Sequence, residues 1–112
     1  MLIGYARVST EAQNEDLQID ALEQIGCDRI FTDKISGSIN SRPGLETALD
    51  FLREGDTLVV WRLDRLGRSL QHLIEMVNLL EEKKAGFKSL QEAIDTTPSS
   101  GRLIFHIFGA LA

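Results

Sequence analysis

Leu2-Ile3-Gly4-Tyr5-Ala6-Arg7-Val8-Ser9-Thr10 is the stretch on which the fold turns. It opens as a nearly continuous apolar run, the pattern of a strand buried on both faces. Arg7 breaks the run two residues before the hydroxyl of Ser9. A guanidinium near a buried strand end is costly to desolvate unless it meets an anion. Thr10 to Asn14 then read as a polar loop. The strand therefore delivers Arg7 and Ser9 to a sheet edge, where open parallel sheets hold their ligands. Taken alone, the same residues also fit a strand that ends in an ordinary Ser-Thr turn.

Outward from this strand, strands and helices alternate. The first helix is expected from about Asn14, a good N-cap, to Gly26, with Leu17, Ala21, Leu22 and Ile25 as its buried stripe and its acids facing water. Arg29 to Asp33 reads as a second strand, and residues 34–42 as a polar loop around Gly37. Pro43 suits the first turn of a second helix carrying Leu45, Ala48, Leu49 and Leu52 and stopping near Gly55. Thr57-Leu58-Val59-Val60-Trp61 is the strongest strand and the expected centre of the sheet. Arg62 to Arg68 forms the next loop. Ser69 caps a third helix to about Lys84, with Leu70, Leu73, Ile74 and Val77 inward, Leu80 at the margin, and Met76 and Leu79 off that face. Gly86 ends it, and Phe87 to Leu90 is a fourth strand. This order predicts an α/β fold with a mostly parallel sheet and right-handed crossovers.

Length and composition bound the function. The 112 residues suffice for one domain, and 43% apolar with 26% charged residues is ordinary for a globular chain. No apolar run reaches membrane-span length and no signal peptide is read, so a cytoplasmic protein without membrane contact is expected. The single Cys27 cannot form an internal disulfide and reads as a small packed residue. A net charge of −5 argues against coating DNA by bulk electrostatics. Yet Arg62, Arg65 and Arg68 crowd one loop, as for a small anionic target held at a site.

Two loops thus stand at strand ends: Arg7-Val8-Ser9, and Asp64-Arg65-Leu66-Gly67-Arg68. Guanidinium matches phosphate oxygens bidentately and stabilises the added charge of a phosphoryl-transfer transition state. A serine hydroxyl among such groups is a candidate nucleophile on phosphorus. The second loop also fits a salt-bridged surface turn in which Asp64 neutralises Arg65. His72 and His106 fit no triad spacing. The chain has no Gly-x-Ser-x-Gly elbow, no Walker A loop, no dinucleotide fingerprint after the first strand and no evident acidic metal cluster.

Tyr5-Ala6-Arg7-Val8-Ser9-Thr10, followed by Gln13 and Gln18, resembles the amino-terminal signature of the serine recombinases, the resolvase/invertase family. Leu63-Asp64-Arg65-Leu66-Gly67-Arg68-Ser69 resembles that family's second signature. Thr32 to Gly37 and Arg42-Pro43-Gly44-Leu45 resemble the mobile loop between them. Gly55 to Trp61 and Phe105 to Ala112 are most similar to the DNA invertase branch.

The resemblance implies that Ser9 attacks a DNA phosphodiester, giving a 5′-phosphoserine link and a free 3′-hydroxyl. It implies that Arg7, Arg42, Arg65 and Arg68 hold the phosphate, that Asp64 orients the arginines or handles a proton, and that Gln13, Gln18 and Ser36 support them. No metal or other cofactor is implied. The implied fold is a mixed sheet of four parallel strands with an antiparallel edge strand near Ala93 to Thr96. The implied partners are a double-stranded DNA recombination site, a second copy in a homodimer, a synaptic tetramer and an accessory DNA-bending protein.

Residues 1–112 are accordingly expected to be a resolvase-like catalytic domain, with an α/β core over 1–97 and the start of a truncated interface helix over 98–112. A helix-turn-helix DNA-binding domain would follow and is absent from this chain. Two other readings of the same arginines are a regulatory module that binds a small phosphate ligand and a phosphatase or serine hydrolase.

Overall fold

A computed structural model describes residues 1–9, 15–35, 43–62 and 70–96. The described elements are β1 (Leu2–Ser9), α1 (Glu15–Gln24), β2 (Arg29–Ile35), α2 (Pro43–Phe51), β3 (Thr57–Val60), α3 (Leu70–Glu82), β4 (Gly86–Ser89) and β5 (Ile94–Asp95). The five strands form one sheet in the order β2-β1-β3-β4-β5. The first four are parallel and β5 runs antiparallel to β4. The expected mixed sheet, the central place of β3 and the antiparallel edge strand near Ala93 to Thr96 are all present.

The sheet is covered on both faces, which is why its strands are apolar on both sides. On one face α2 and α3 bring Leu45, Ala48, Leu49, Val77 and Leu80 onto Ile3, Tyr5, Leu58, Val60 and Phe87. On the other face Leu22 of α1 packs with Ala6 and Val59, flanked by Ile25, Cys27 and Ile30. Lys83 Nζ, from just beyond α3, donates to the Leu49 carbonyl near the end of α2 at 2.7 Å and so joins the two helices.

Four local expectations are corrected. Leu17 is 55% exposed, while Gln18 is fully buried. The inward face of α1 is the i, i+4, i+7 row Gln18, Leu22, Ile25, one residue round from the expected stripe. Strand β2 continues through Lys34 and Ile35, which were assigned to a loop, because β1 pairs with it as far as Ser9↔Ile35. Strand β3 stops at Val60, and β4 starts at Gly86. Leu80 is a core residue at 1% exposure, and Met76 and Leu79 pack partly buried against the same core.

Helix α3 also ends by a different device. Lys84 takes a left-handed φ of 59°. Its N–H donates to Glu81, and that of Ala85 donates to Leu80. This is a Schellman closure built on a lysine where a glycine is usual. Gly26, at φ 92°, closes α1 in the same way, through Gly26 to Glu23 and Cys27 to Leu22. The expected caps Asn14 and Ser69 and the final helix over 98–112 lie outside the described residues.

The depth of Leu80 yields a test. Leu80→Ala should cost about 2–5 kcal/mol in urea unfolding, and Leu79→Ala clearly less. Equal, small losses at both positions would place Leu80 at the margin.

Candidate phosphate site at the strand ends

The register of β1 builds the site. With β3 it pairs only from Leu2↔Thr57 to Tyr5↔Val60. With β2 it continues to Arg7↔Asp33 and Ser9↔Ile35. Ala6 to Ser9 therefore overhang the end of β3, with β2 as the neighbouring strand on one side. The strand order reverses here: β1 leads out to β2, and the chain returns across β1 to β3. Open α/β sheets bind ligands outside the strand ends at such a switch point. Strand β3 ends at Val60, at the level of Tyr5, a few residues before Asp64, Arg65 and Arg68 in the sequence.

Ile3 and Tyr5 lie in the larger core, and Arg7 shares their side of the pleat. Arg7 is half-buried. Its carbonyl accepts a hydrogen bond from Gln18 Nε2 at 3.3 Å, so the fully buried amide of α1 grips the overhang from the other face. Gln18 Oε1 is buried and has no hydrogen-bond partner among the described residues. Ser9 is placed by its backbone as the last residue of β1. Gln13, Ser36, Arg42, Asp64, Arg65 and Arg68 lie outside the described residues. The structure thus brings Arg7, Gln18 and the Ser9 backbone to one strand end. Exposed Arg62, just past the end of β3, lies over the Trp61 ring at 5.8 Å.

Sequence reasoning missed Asp33. This carboxylate, at 7% exposure, accepts three hydrogen bonds. Tyr5 Oη donates to Oδ2 at 2.8 Å, Leu45 N to Oδ2 at 3.0 Å, and Gly44 N to Oδ1 at 2.7 Å. Asp33 therefore caps the first two N–H groups of α2, those of Gly44 and Leu45, from a neighbouring strand. A signal existed. Residues 42–44 read Arg-Pro-Gly, with no Ser, Thr, Asp or Asn at the N-cap, so the cap had to come from elsewhere. Gly44 makes the close approach possible, since a Cβ there would stand 2.4 Å from the Thr32 carbonyl oxygen.

The Cys27 thiolate is disfavoured in this fold. Burial, and then Asp28 beside it, push its thiol up to about 11, against an opposing pull from Lys88.

The comparisons with known proteins agree with this architecture. Residues 2–112 match the family described as "Resolvase, N terminal domain". The chain belongs to that family, the catalytic-domain class of the serine recombinases. It is 58% identical over 112 residues to the serine recombinase gin of Escherichia phage Mu, covering all of this chain and 58% of that protein. It is 56% identical over 110 residues to the DNA-invertase hin of Salmonella typhimurium, covering 98% of this chain and 58% of that one. The chain thus spans under two thirds of the length of these relatives. The solved N-terminal catalytic domain of TP901-1 integrase superposes with a TM-score of 0.79 at 31% identity, over 98% of this chain and 92% of that one. No helix among the described residues is long and apolar enough to cross a membrane.

The thiol gives a prediction with a definite sign. A raised folded pKa favours the neutral form, so this contribution to stability is whole below the ordinary value of 9.0 and is lost as pH rises through about 11. At pH 8 a thiol-specific reagent should label Cys27 at least about tenfold more slowly in the folded chain than in urea. Equal rates would show an activated or freely exposed thiol.

Proposed function

We propose that this chain is the catalytic part of a serine site-specific DNA recombinase of the invertase/resolvase type. The observation that carries the reading is the β1 overhang, which sets Arg7 and the Ser9 backbone at the switch point of the sheet. The names of the relatives, recombinase and invertase, support it.

In this mechanism Ser9 Oγ attacks the phosphorus of a DNA phosphodiester, and the 3′-oxygen leaves. One P–O bond forms as another breaks, giving a 5′-phosphoserine and a free 3′-hydroxyl. The phosphodiester character is conserved, so the reverse attack by a 3′-hydroxyl reseals the exchanged strand without a cofactor. Arg7, Arg42, Arg65 and Arg68 bind the phosphate and neutralise the charge that builds in the transition state. Asp64 orients the arginines or takes up a proton. Gln18 holds the Arg7 backbone, and Gln13 and Ser36 complete the support.

Residues 98–112 begin an interface helix, and a helix-turn-helix domain would follow it in the full recombinase. A homodimer on double-stranded DNA, a synaptic tetramer and an accessory DNA-bending protein complete the assembly, in the cytoplasm on the nucleoid. Most DNA affinity then lies outside this chain, consistent with its net charge of −5.

The test joins residues 1–112 to the C-terminal part of the gin recombinase and supplies that enzyme's recombination site. The chimera should cut the site and become covalently attached to it. Ser9→Ala should abolish cutting while site binding persists. Arg68→Lys, which keeps the charge but loses the bidentate fork, should lose at least ~2 kcal/mol of transition-state stabilisation, about thirtyfold in single-turnover rate. A chimera that binds but never cuts, or one that cuts without Ser9, would contradict the reading.

A further inference from the structure

Leu90 to Ala93, which join β4 to β5, do not keep their N–H groups within the turn. Two of them donate outward to the end of β3: Leu90 N to the Val60 carbonyl at 3.1 Å, and Gln91 N to the Trp61 carbonyl at 2.9 Å. On its other side β3 has by then lost β1, whose last residue paired with it is Tyr5. The turn therefore holds the chain where it leaves β3.

Side chains fasten the turn in its own shape. Ser89 stands in a lateral row with Tyr5, Val60 and Ile94, all of them core residues. A serine at 1% exposure in such a row is costly unless its hydroxyl is paired. It donates to the Glu92 carboxylate, so this bond spans the turn from the end of β4. Ala93 closes the turn at a left-handed φ of 56°, with its N–H on the Leu90 carbonyl at 3.3 Å. Alanine is strained there and persists only where its surroundings hold it.

From this arrangement we infer that Glu92 is a positioning residue for strand cleavage: bonded to Ser89, it fixes the β4–β5 turn on Trp61 and so sets the point from which the arginine-bearing segment departs. The inference rests on the recombinase reading, in which Asp64, Arg65 and Arg68 act on the phosphate. Glu92 acts through the turn and not by contact with DNA. The tether is short. A residue spans at most ~3.5 Å, so Arg65, four residues after Trp61, lies within about 14 Å of it. A shifted anchor leaves so short a segment little room to compensate, and small misplacements of catalytic groups are expensive in rate.

The experiment has two arms, both on the chimera of residues 1–112 with the gin C-terminal part. The variants are Ser89→Ala and Glu92→Ala, which each delete one side of the bond, their double, and Glu92→Gln, whose amide oxygen still accepts from Ser89.

The first arm is hydrogen exchange, which needs no chemistry. The Gln91 amide should exchange about tenfold faster in both alanine variants, while those of Leu58 and Val59 stay as in the parent. The second arm is single-turnover cleavage at saturating protein, at a temperature where melting curves show every variant folded. Both alanine variants should cleave about tenfold more slowly at unchanged site affinity. Glu92→Gln should stay within about threefold of the parent, and the double variant should be no slower than Glu92→Ala alone, as expected of two partners in one bond.

Parental cleavage rates in both alanine variants would overturn the inference, since the bond would then serve only the fold. Glu92→Gln as slow as Glu92→Ala, fully additive losses, or losses that follow site affinity would overturn it too. If the parent chimera forms no adduct with DNA, the recombinase reading fails. The exchange arm still decides whether the bond anchors the turn: unchanged Gln91 exchange in both alanine variants overturns it.

Discussion

The structure depends on a difference in length between two strand pairings. Strand β1 meets β3 for four residues, Leu2 to Tyr5, and meets β2 for seven, Ile3 to Ser9. The overhang is what turns a buried strand into a platform. Within the sheet β1 is apolar on both faces, with Ile3 and Tyr5 toward α2 and α3 and Ala6 toward α1. Past Tyr5 the same strand can carry Arg7 and Ser9, because no second strand encloses it there. The strand order β2-β1-β3 puts the overhang where the chain changes direction, the usual place for a ligand in an open α/β sheet.

An unsupported strand end would fray, and two buried polar groups act against that. Gln18 reaches from α1 to the Arg7 carbonyl, and Asp33 gathers Tyr5, Gly44 and Leu45 on the opposite face. Each is a cost if left unpaired, of order 1–3 kcal/mol or more for a charge. Their placement at the strand end, with the purely apolar packing below, suits a site in which geometry matters more than bulk stability.

Much of this was legible in the residues. The alternation of strand and helix, the central apolar run Thr57 to Val60, and Arg7 and Ser9 at a strand end follow from hydrophobic period and from turn residues. What was not legible has a common cause. The face of α1 was set one residue off because Leu17 is the more apolar side chain, yet burial goes to Gln18, whose amide is needed by a backbone carbonyl 11 residues away. The end of α3 was sought at Gly86, but Lys84 takes the left-handed position itself. The cap of α2 was invisible locally because it comes from Asp33, in another element. Tertiary hydrogen bonds override local preference in two of these places, and both are at the candidate site. The fold class needed only the pattern; the site needed the pairings. The roles of the loop arginines came from resemblance and not from periodicity.

The central claim is that the hydroxyl at the end of β1 becomes bonded to DNA. The most direct measurement is to trap the chimera on a nicked recombination site, digest protein and DNA, and sequence the joined peptide by mass spectrometry. The account predicts a nucleotide linked through its 5′-phosphate to Ser9, in the peptide that spans β1. A nucleotide on any other residue, or one attached through a 3′-phosphate, would contradict it.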